Sequence, residues 1–178
     1  MSCLLSRGFN QRGACRAGIG GIRTVYIAGF DDIGTIGKDA SGNVSGFSAS
    51  GTIFFEYDVT PETANFVETV TANEQNGSIF YEQVFTLVMN NMSQTKRNEI
   101  RVLGQKRLAI VTLAENGQYN LLGETTGMIM NGGTTGTGTA KGDRNGYSLT
   151  FMAREADPAP HVLAAALTSK VSAVQATE

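Results

Sequence analysis

The stretch Gln75–Asn90, QNGSIFYEQVFTLVMN, carries the strongest indication of the fold class. It places Asn76-Gly77 before a β-favouring run of about a dozen residues, roughly twice the five to six of a usual strand. An Asn-Gly pair favours a type I′ hairpin turn, in which both central residues need positive φ. The pattern predicts a hairpin leading into one long strand, of the kind that runs along a wall shared between subunits. Two shorter strands joined through a bulge are the alternative.

Alternation and turn signals predict further strands on both sides of this run. They cover residues 24–28, 52–59, 66–74, 108–113, 119–122 and 147–154. In the second of these, Ile53, Phe55, Tyr57 and Val59 are expected on one face, with Phe54 breaking the pattern. The almost continuous apolar strand 108–113 is expected to be covered on both faces. Residues 127–146, rich in Gly and Thr, are expected to form a mobile connection between strands.

One surface helix is predicted over residues 93–104. Ser93 suits the N-cap, and Gly104 stands where a helix stops. Ile100 and Leu103 make a narrow apolar stripe, so the helix is expected to lie on a sheet. Arg97 and Arg101, four residues apart, then present charge outward.

The remaining segments suggest a domain with two arms. Residues 1–23 form an N-terminal arm with four arginines and no acid, residues 24–156 the β domain, and residues 157–178 a tail. Phe30–Ser50 has several glycines and three aspartates and is expected to be a long functional loop or flexible hairpin. Within the tail, Val162–Gln175 could be helical. The sum is a mainly β protein: an antiparallel β-barrel or sandwich with one flanking α-helix, a long loop and extended N- and C-terminal arms.

The composition limits the function. Charged residues make up 17% of the 178, below the roughly 25% of average soluble domains. Low charge suggests a surface largely covered by other molecules. A net charge of −2 argues against a general nucleic-acid binder. No apolar run approaches the roughly 20 residues of a membrane span, and the first residues lack the apolar core of a secretory signal. Cys3 and Cys15 are expected to be reduced, with a bridge between them as the alternative.

Catalytic and metal-binding patterns fail on inspection. Gly37-Lys38 lacks the preceding glycine and the following Ser or Thr of a P-loop, and Gly18-Ile19-Gly20 lacks the third glycine of a dinucleotide fingerprint. His161 is the only histidine, so neither a metal site nor an activated Ser or Cys nucleophile is expected. We therefore expect no enzyme activity, no metal and no cofactor.

Several segments together resemble the major tail tube proteins of tailed bacteriophages. They are residues 20–27, GGIRTVYI; 76–83, NGSIFYEQ; 96–100, KRNEI; 117–123, GQYNLLG; and 142–151, GDRNGYSLTF. The resemblance covers roughly residues 18–162 and rests on the order and spacing of these segments. It implies a fold related to type VI secretion tube proteins. Six copies would close a ring, and rings would stack into a virion tail tube through which DNA passes.

Partners and location follow from that resemblance. The chain would bind copies of itself and other tail proteins, would let DNA pass without binding it specifically, and would contact no membrane. It would be assembled in the host cytoplasm. Two other classes stay open. One is a different virion protein, such as a tail terminator, a baseplate ring or a capsid decoration. The other is a small-ligand β-barrel, which predicts a monomer with a pocket of about 300–1,000 Å³.

Residue roles can be assigned on this basis. Glu82, Thr86 and Asn90 share the face of the long strand expected to line the lumen, although Val84 and Val88 also lie on it. The opposite face, with Tyr81, Phe85, Leu87 and Met89, is expected in the core. Contacts between rings are expected where one subunit's arm meets the next subunit's acidic loop, that is, at Arg7, Arg12, Arg16, Asp31, Asp32 and Asp39.

Overall fold

The computed structural model describes residues 19–172, which form twelve strands in two sheets together with two α-helices. Sheet A consists of β1 (Ile22–Gly29), β2 (Ile36–Lys38), β3 (Val44–Phe47), β4 (Phe54–Asp58), β7 (Leu108–Ala114), β8 (Tyr119–Leu122), β11 (His161–Val162) and β12 (Val171–Ser172). Sheet B consists of β5 (Ala64–Asn73), β6 (Ser78–Asn90), β9 (Ile129–Gly136) and β10 (Gly146–Glu155). The helices are α1 (Gln94–Gln105) and α2 (Ala164–Thr168), and a 3₁₀ turn covers Phe30–Asp32. The predicted mainly β class is confirmed.

The two sheets differ in how they are ordered. Sheet A runs β12-β4-β1-β7-β8-β11-β3-β2 and is mixed, because β11 pairs in parallel with β3 and β12 with β4. Sheet B runs β5-β6-β10-β9 and is antiparallel throughout. Phe54 near one end of sheet A packs against Phe47 near the other, with their tilted rings 5.0 Å apart between centroids. Sheet A therefore curls until its ends approach each other.

Two apolar cores follow from this arrangement. One core lies inside the curl of sheet A, around Phe54, Val111 and Leu121. The other lies between the sheets, where Ile110 of sheet A meets Phe85 and Phe151 of sheet B. Alternate residues of β7 enter the two cores, so this strand is buried on both faces, as its continuous apolar sequence predicted.

The long strand is confirmed, but its turn differs from the prediction. β6 spans 13 residues and pairs with β5 and with β10 without a register shift, so the bulged alternative is wrong. The turn has four residues, 74–77, and only Gly77 has positive φ. The Asn73 side chain accepts hydrogen bonds from the Gln75 and Asn76 amides at 3.0 and 3.3 Å. This side-chain cap favours a wider turn over type I′.

The predicted phase of β4 is wrong. Phe54, taken as the interruption, is fully buried inside the curl of sheet A, whereas Ile53 and Phe55 are exposed. Tyr57 and Val59 do face the core between the sheets. Each face of this strand packs against a different apolar core. A simple alternation of apolar and polar residues therefore cannot show which residues are buried.

The Gly- and Thr-rich stretch 127–146 contains a strand that the sequence did not predict. β9 pairs with β10 along most of its length, with one register shift between Thr150 and Phe151. Gly133 lies against Leu149, where an added Cβ would stand 3.0 Å from the leucine Cδ2. The close approach of the neighbouring strand explains why glycine occupies this position.

The other segments also acquire structure. Phe30–Ser50 holds the β2–β3 hairpin, consistent with the hairpin form of the prediction. Residues 161–172 supply β11, α2 and β12, and Leu167 is buried inside the curl, so this part is integrated into sheet A and is not one continuous helix. α1 begins as predicted, with the Lys96 amide donating to Ser93 Oγ at 3.2 Å. It continues through Gly104 to Gln105.

Candidate assembly surface

The face of sheet B that points away from the core is broad and nearly uncharged. We call it the outer face. It comprises Asn65, Val67, Thr69 and Thr71 of β5, Phe80, Glu82, Val84, Thr86, Val88 and Asn90 of β6, Ser148, Thr150, Met152 and Arg154 of β10, and Ile129, Gly132 and Thr134 of β9. Glu82, Thr86 and Asn90 thus lie on one face, opposite the buried Phe85 and Leu87. That this face lines a lumen stays a prediction.

The two charged residues of the outer face neutralise each other. Glu82 and Arg154 are directly opposite in the β6–β10 register, and the arginine Nε donates to the glutamate Oε2 at 3.0 Å. The Arg154 side chain remains 64% exposed and that of Glu82 32% exposed. Because the pair is partly solvated, it contributes little to stability, but it removes a free cation from the middle of the face.

Both edges of sheet B are open within the described residues, since β5 and β9 end the strand order. The Val88 amide donates to the Thr63 carbonyl at 3.1 Å, so Thr63 and every second residue after it in β5 form hydrogen bonds with β6. In an antiparallel ladder the bonded positions alternate, so the amides of Phe66, Glu68, Val70 and Ala72 point away from β6. A row of such groups is a template for pairing with another strand.

The tip of the β5–β6 hairpin extends past the rest of sheet B. The last β10 residue, Glu155, is opposite Tyr81, so Ser78–Phe80 and their β5 partners have no third strand beside them. Ile79 is 55% exposed there, and Val70, which pairs with Tyr81 next to this overhang, is equally exposed. An isolated two-stranded ribbon is marginal in water, so exposed apolar residues on it favour a covering partner.

Buried polar side chains tie sheet B to the loop that follows β8. The buried Glu155 carboxylate accepts from the Thr125 and Thr126 amides and from the Thr126 hydroxyl, at 2.9–3.1 Å. Gln83, fully buried, accepts from the Gly123 amide at 3.0 Å and donates to Glu68 at 3.1 Å. Sequence reasoning missed both residues. For Gln83 the sequence does contain a signal: in the alternation of β6 it lies on the same face as Tyr81 and Phe85, which are expected in the core.

The predicted inter-ring residues are not gathered in one place. Arg7, Arg12 and Arg16 lie outside the described residues. The Asp31 carboxylate pairs with Arg107 at 2.7 Å, and Asp32 is exposed beside it. Asp39 organises its own turn by accepting from the Ser41 and Asn43 amides and from the Asn43 side chain. These hydrogen bonds, chiefly those from Asn43, hold the pKa of Asp39 below its usual range. Their role in ring contacts stays a prediction.

Helix α1 lies on the core between the sheets, with Leu103 buried and Ile100 partly buried against it. Arg97 and Arg101 are exposed on its other side. The Tyr57 hydroxyl donates to the Glu99 carboxylate at 2.7 Å and ties the helix to β4. Burial raises the pKa of this tyrosine well above its usual range, and the hydrogen bond to Glu99 raises it further.

Two further features bear on the chemistry of the part of the chain that the structure describes. His161 contacts the Asn120 and Gln118 side chains at the surface, and no cluster of three or more His, Cys, Asp or Glu side chains among residues 19–172 could hold a metal ion. One pocket there is an open groove of about 480 Å³ lined by Ile22, Arg23, Asp58, Val59, Thr60, Pro61 and Glu115. It opens to solvent beside Ile22 and Val59 of the core between the sheets, unlike the enclosed pocket of a ligand-binding barrel.

Comparisons with protein-family models, curated proteins and solved structures find no significant match to this chain. The resemblance to tail tube proteins therefore rests on the quoted segments and stays a prediction. A separate finding concerns membranes: none of the helices within residues 19–172 has the length and apolar character needed to cross one.

Proposed function

We propose that this chain is a structural virion protein that assembles into stacked hexameric rings and forms the tail tube of a bacteriophage. In this role it acts as a conduit for DNA and performs no catalysis. The observation that carries the proposal is sheet B: a four-stranded antiparallel sheet with two open edges and one nearly uncharged face. The six sheets of a ring would join edge to edge into a closed wall.

The open edges support ring closure. Unpaired strand edges are a liability in a free monomer, and closure into a barrel removes them. β5 offers ten residues and β9 offers eight, lengths that suit pairing between neighbouring copies. A contact between two different edges is head-to-tail, so it closes into a ring when the rotation between copies allows it.

The chemistry of the outer face supports a conduit. Free Lys and Arg side chains bind phosphates and would hold a passing polyanion. The cation of this face is paired with Glu82, and the remaining side chains are uncharged. A wall of Thr, Ser, Asn and Val side chains presents no such charge to DNA. The same face would therefore guide DNA without binding it specifically.

Electron microscopy of the purified full chain tests the proposal. We expect hollow tubes of stacked rings. Single rings that never stack would favour a terminator or baseplate role, and binding only to preformed capsids would favour a decoration protein. Monomers at every concentration and salt tested would contradict the proposal and return the ligand-binding barrel to consideration.

A substitution at the β5 edge tests the route of closure. Val70→Pro removes an amide that points away from β6, so the fold should persist while pairing with another copy weakens. Val70→Thr keeps the amide and a β-branched side chain and serves as the matched control. We expect the proline variant to remain folded by circular dichroism but to stay monomeric, and the threonine variant to assemble. Normal tubes from Val70→Pro would show that this edge is not used.

A further inference from the structure

Charge is distributed unevenly over the described residues. The segment 94–107, which contains α1, carries five cations and one anion. The rest of residues 19–172 carries six cations and fourteen anions. Within residues 19–172, the segment that contains α1 is thus distinctly basic and the remainder is acidic. Such a separation of charge favours a specific electrostatic contact.

The basic surface is available for contact. Arg107 is already engaged with Asp31 and with the Phe30 ring, and Lys96 donates to the carbonyls of Asn90 and Asn91. Three further cations, Arg97, Arg101 and Lys106, are exposed and have no ion-pair partner within residues 19–172. We call these three the helix cations. Because Arg97 and Arg101 are four residues apart, they lie on the same side of the helix.

A complementary acidic surface surrounds the open groove beside β1 and β4. Asp58 and Glu115 line the groove, and Glu62 comes directly after the lining residue Pro61 in the chain. All three are exposed, and none has an ion-pair partner in the described part of the chain. Arg23 also lines the groove, so it leaves this group with a net charge of −2. We call the three carboxylates the groove acids.

We propose that the helix cations of one copy bind the groove acids of a second copy. This inference rests on the proposed self-assembly and names the surfaces that register one copy against the next. Glu99, the one acid of the helix segment, is held by Tyr57 and does not compete for the helix cations. A contact between two different surfaces is head-to-tail and can repeat from copy to copy.

Charge reversal tests the proposal in the full chain. One variant carries Arg97→Glu and Arg101→Glu, a second carries Asp58→Lys and Glu62→Lys, and a third carries all four changes. Each two-residue variant places like charges opposite each other, so we expect at least about a tenfold rise in the protein concentration needed for assembly. The four-residue variant restores opposite charges, and we expect its assembly to return close to that of the wild type.

Control variants separate this contact from general charge effects. Lys141→Glu with Arg144→Glu, in the exposed turn before β10, makes the same change of net charge as Arg97→Glu with Arg101→Glu, and this variant is expected to assemble normally. Circular dichroism and thermal melting confirm that each variant folds. Raising the salt concentration should weaken wild-type assembly, because exposed ion pairs are screened.

The outcomes distinguish this inference from the proposed function. A wild-type chain that never assembles contradicts both. Wild-type tubes together with normal assembly of either two-residue variant contradict only the charge contact. So does failure of the folded four-residue variant to assemble. Loss of assembly in the groove variant alone would assign the groove acids to another cation source, such as the arginines of residues 1–18.

Discussion

Sheet A and sheet B are both built from strands rich in apolar and β-branched residues, but they differ in how much of their surface is buried. Sheet A curls on itself, so its central strand β7 is buried on both faces. Sheet B is covered on one face only, and its other face and both its edges remain open in the described chain. Sheet A therefore mainly stabilises the subunit, whereas sheet B leaves one face and two edges available for assembly.

Alanine substitutions should expose this difference most strongly. In β7, Ile110→Ala and Val111→Ala both leave cavities, and each should lower the free energy of unfolding by about 2–4 kcal/mol. In β6, Phe85→Ala should cost about 3–5 kcal/mol. Val84→Ala on the outer face should cost the monomer less than about 1 kcal/mol. Urea unfolding of monomeric protein measures all four. Equal losses for Phe85 and Val84 would mean that both faces of sheet B are covered.

The polar link between the sheets should give the next largest effect. Glu155→Ala leaves the Thr125 and Thr126 amides without their acceptor, and burial makes that loss costly. We expect a loss of about 2–3 kcal/mol in the free energy of unfolding. Arg154→Ala, at the exposed neighbouring position, is the matched control and should cost below about 1 kcal/mol. Faster hydrogen exchange of residues 123–128 in Glu155→Ala would locate the effect, and unchanged exchange there would contradict the tether.

The sequence predicts the buried face of some strands and not of others. The alternation in β10, the looser alternation in β6 and the continuous apolar run in β7 reveal which faces are buried, because local pattern and burial agree there. In β4 the alternation does not show which residues are buried, because Phe54 and Tyr57 face different cores. The sequence does not predict β9, because Gly132 and Gly133 have no preference for strands. This strand forms because it pairs with β10. The Glu82–Arg154 pair depends on a register between residues 72 positions apart, which no local pattern contains.

The outer face can be converted from neutral to basic by one substitution. Glu82→Gln keeps the size of the side chain but frees the Arg154 guanidinium. The free energy of unfolding should change by less than about 1 kcal/mol, since the pair is partly exposed. Assembled protein should gain affinity for DNA, and this affinity should weaken with rising salt. Fluorescence anisotropy with labelled DNA measures it.

The control for this change is the double variant Glu82→Gln with Arg154→Gln. It removes both charges, so its DNA affinity should match the weak affinity of the wild type. Equal DNA binding by the wild type and by Glu82→Gln, in tubes of normal appearance, would show that the outer face does not meet the DNA.

The smallest expected effect concerns a feature that the two sheets share. Asp39 caps the β2–β3 turn of sheet A, and Asp143 accepts from the Thr139 and Ala140 amides before β10 of sheet B, both at 2.8 Å. These backbone hydrogen bonds favour the ionised form and hold the pKa of Asp143 below its usual range, as the bonds from Asn43 do for Asp39. Both carboxylates should therefore titrate at lower pH than an aspartate in an unfolded chain.

The sign of the pH dependence follows from the lowered pKa. Each carboxylate stabilises its turn fully above the pKa of the unfolded chain, and the contribution is lost as the pH falls through the lower pKa of the folded chain. Because Asp143 is exposed and Asp39 is only half-buried in a surface turn, the loss should loosen the turns and leave the fold intact. NMR titration of the two side chains measures the pKa values, and Asp143→Asn provides the control for local shifts. An ordinary pKa at Asp143 with a lowered one at Asp39 would show that the turn before β10 is loose in solution, which would make the β9 edge of sheet B less ordered than the β5 edge.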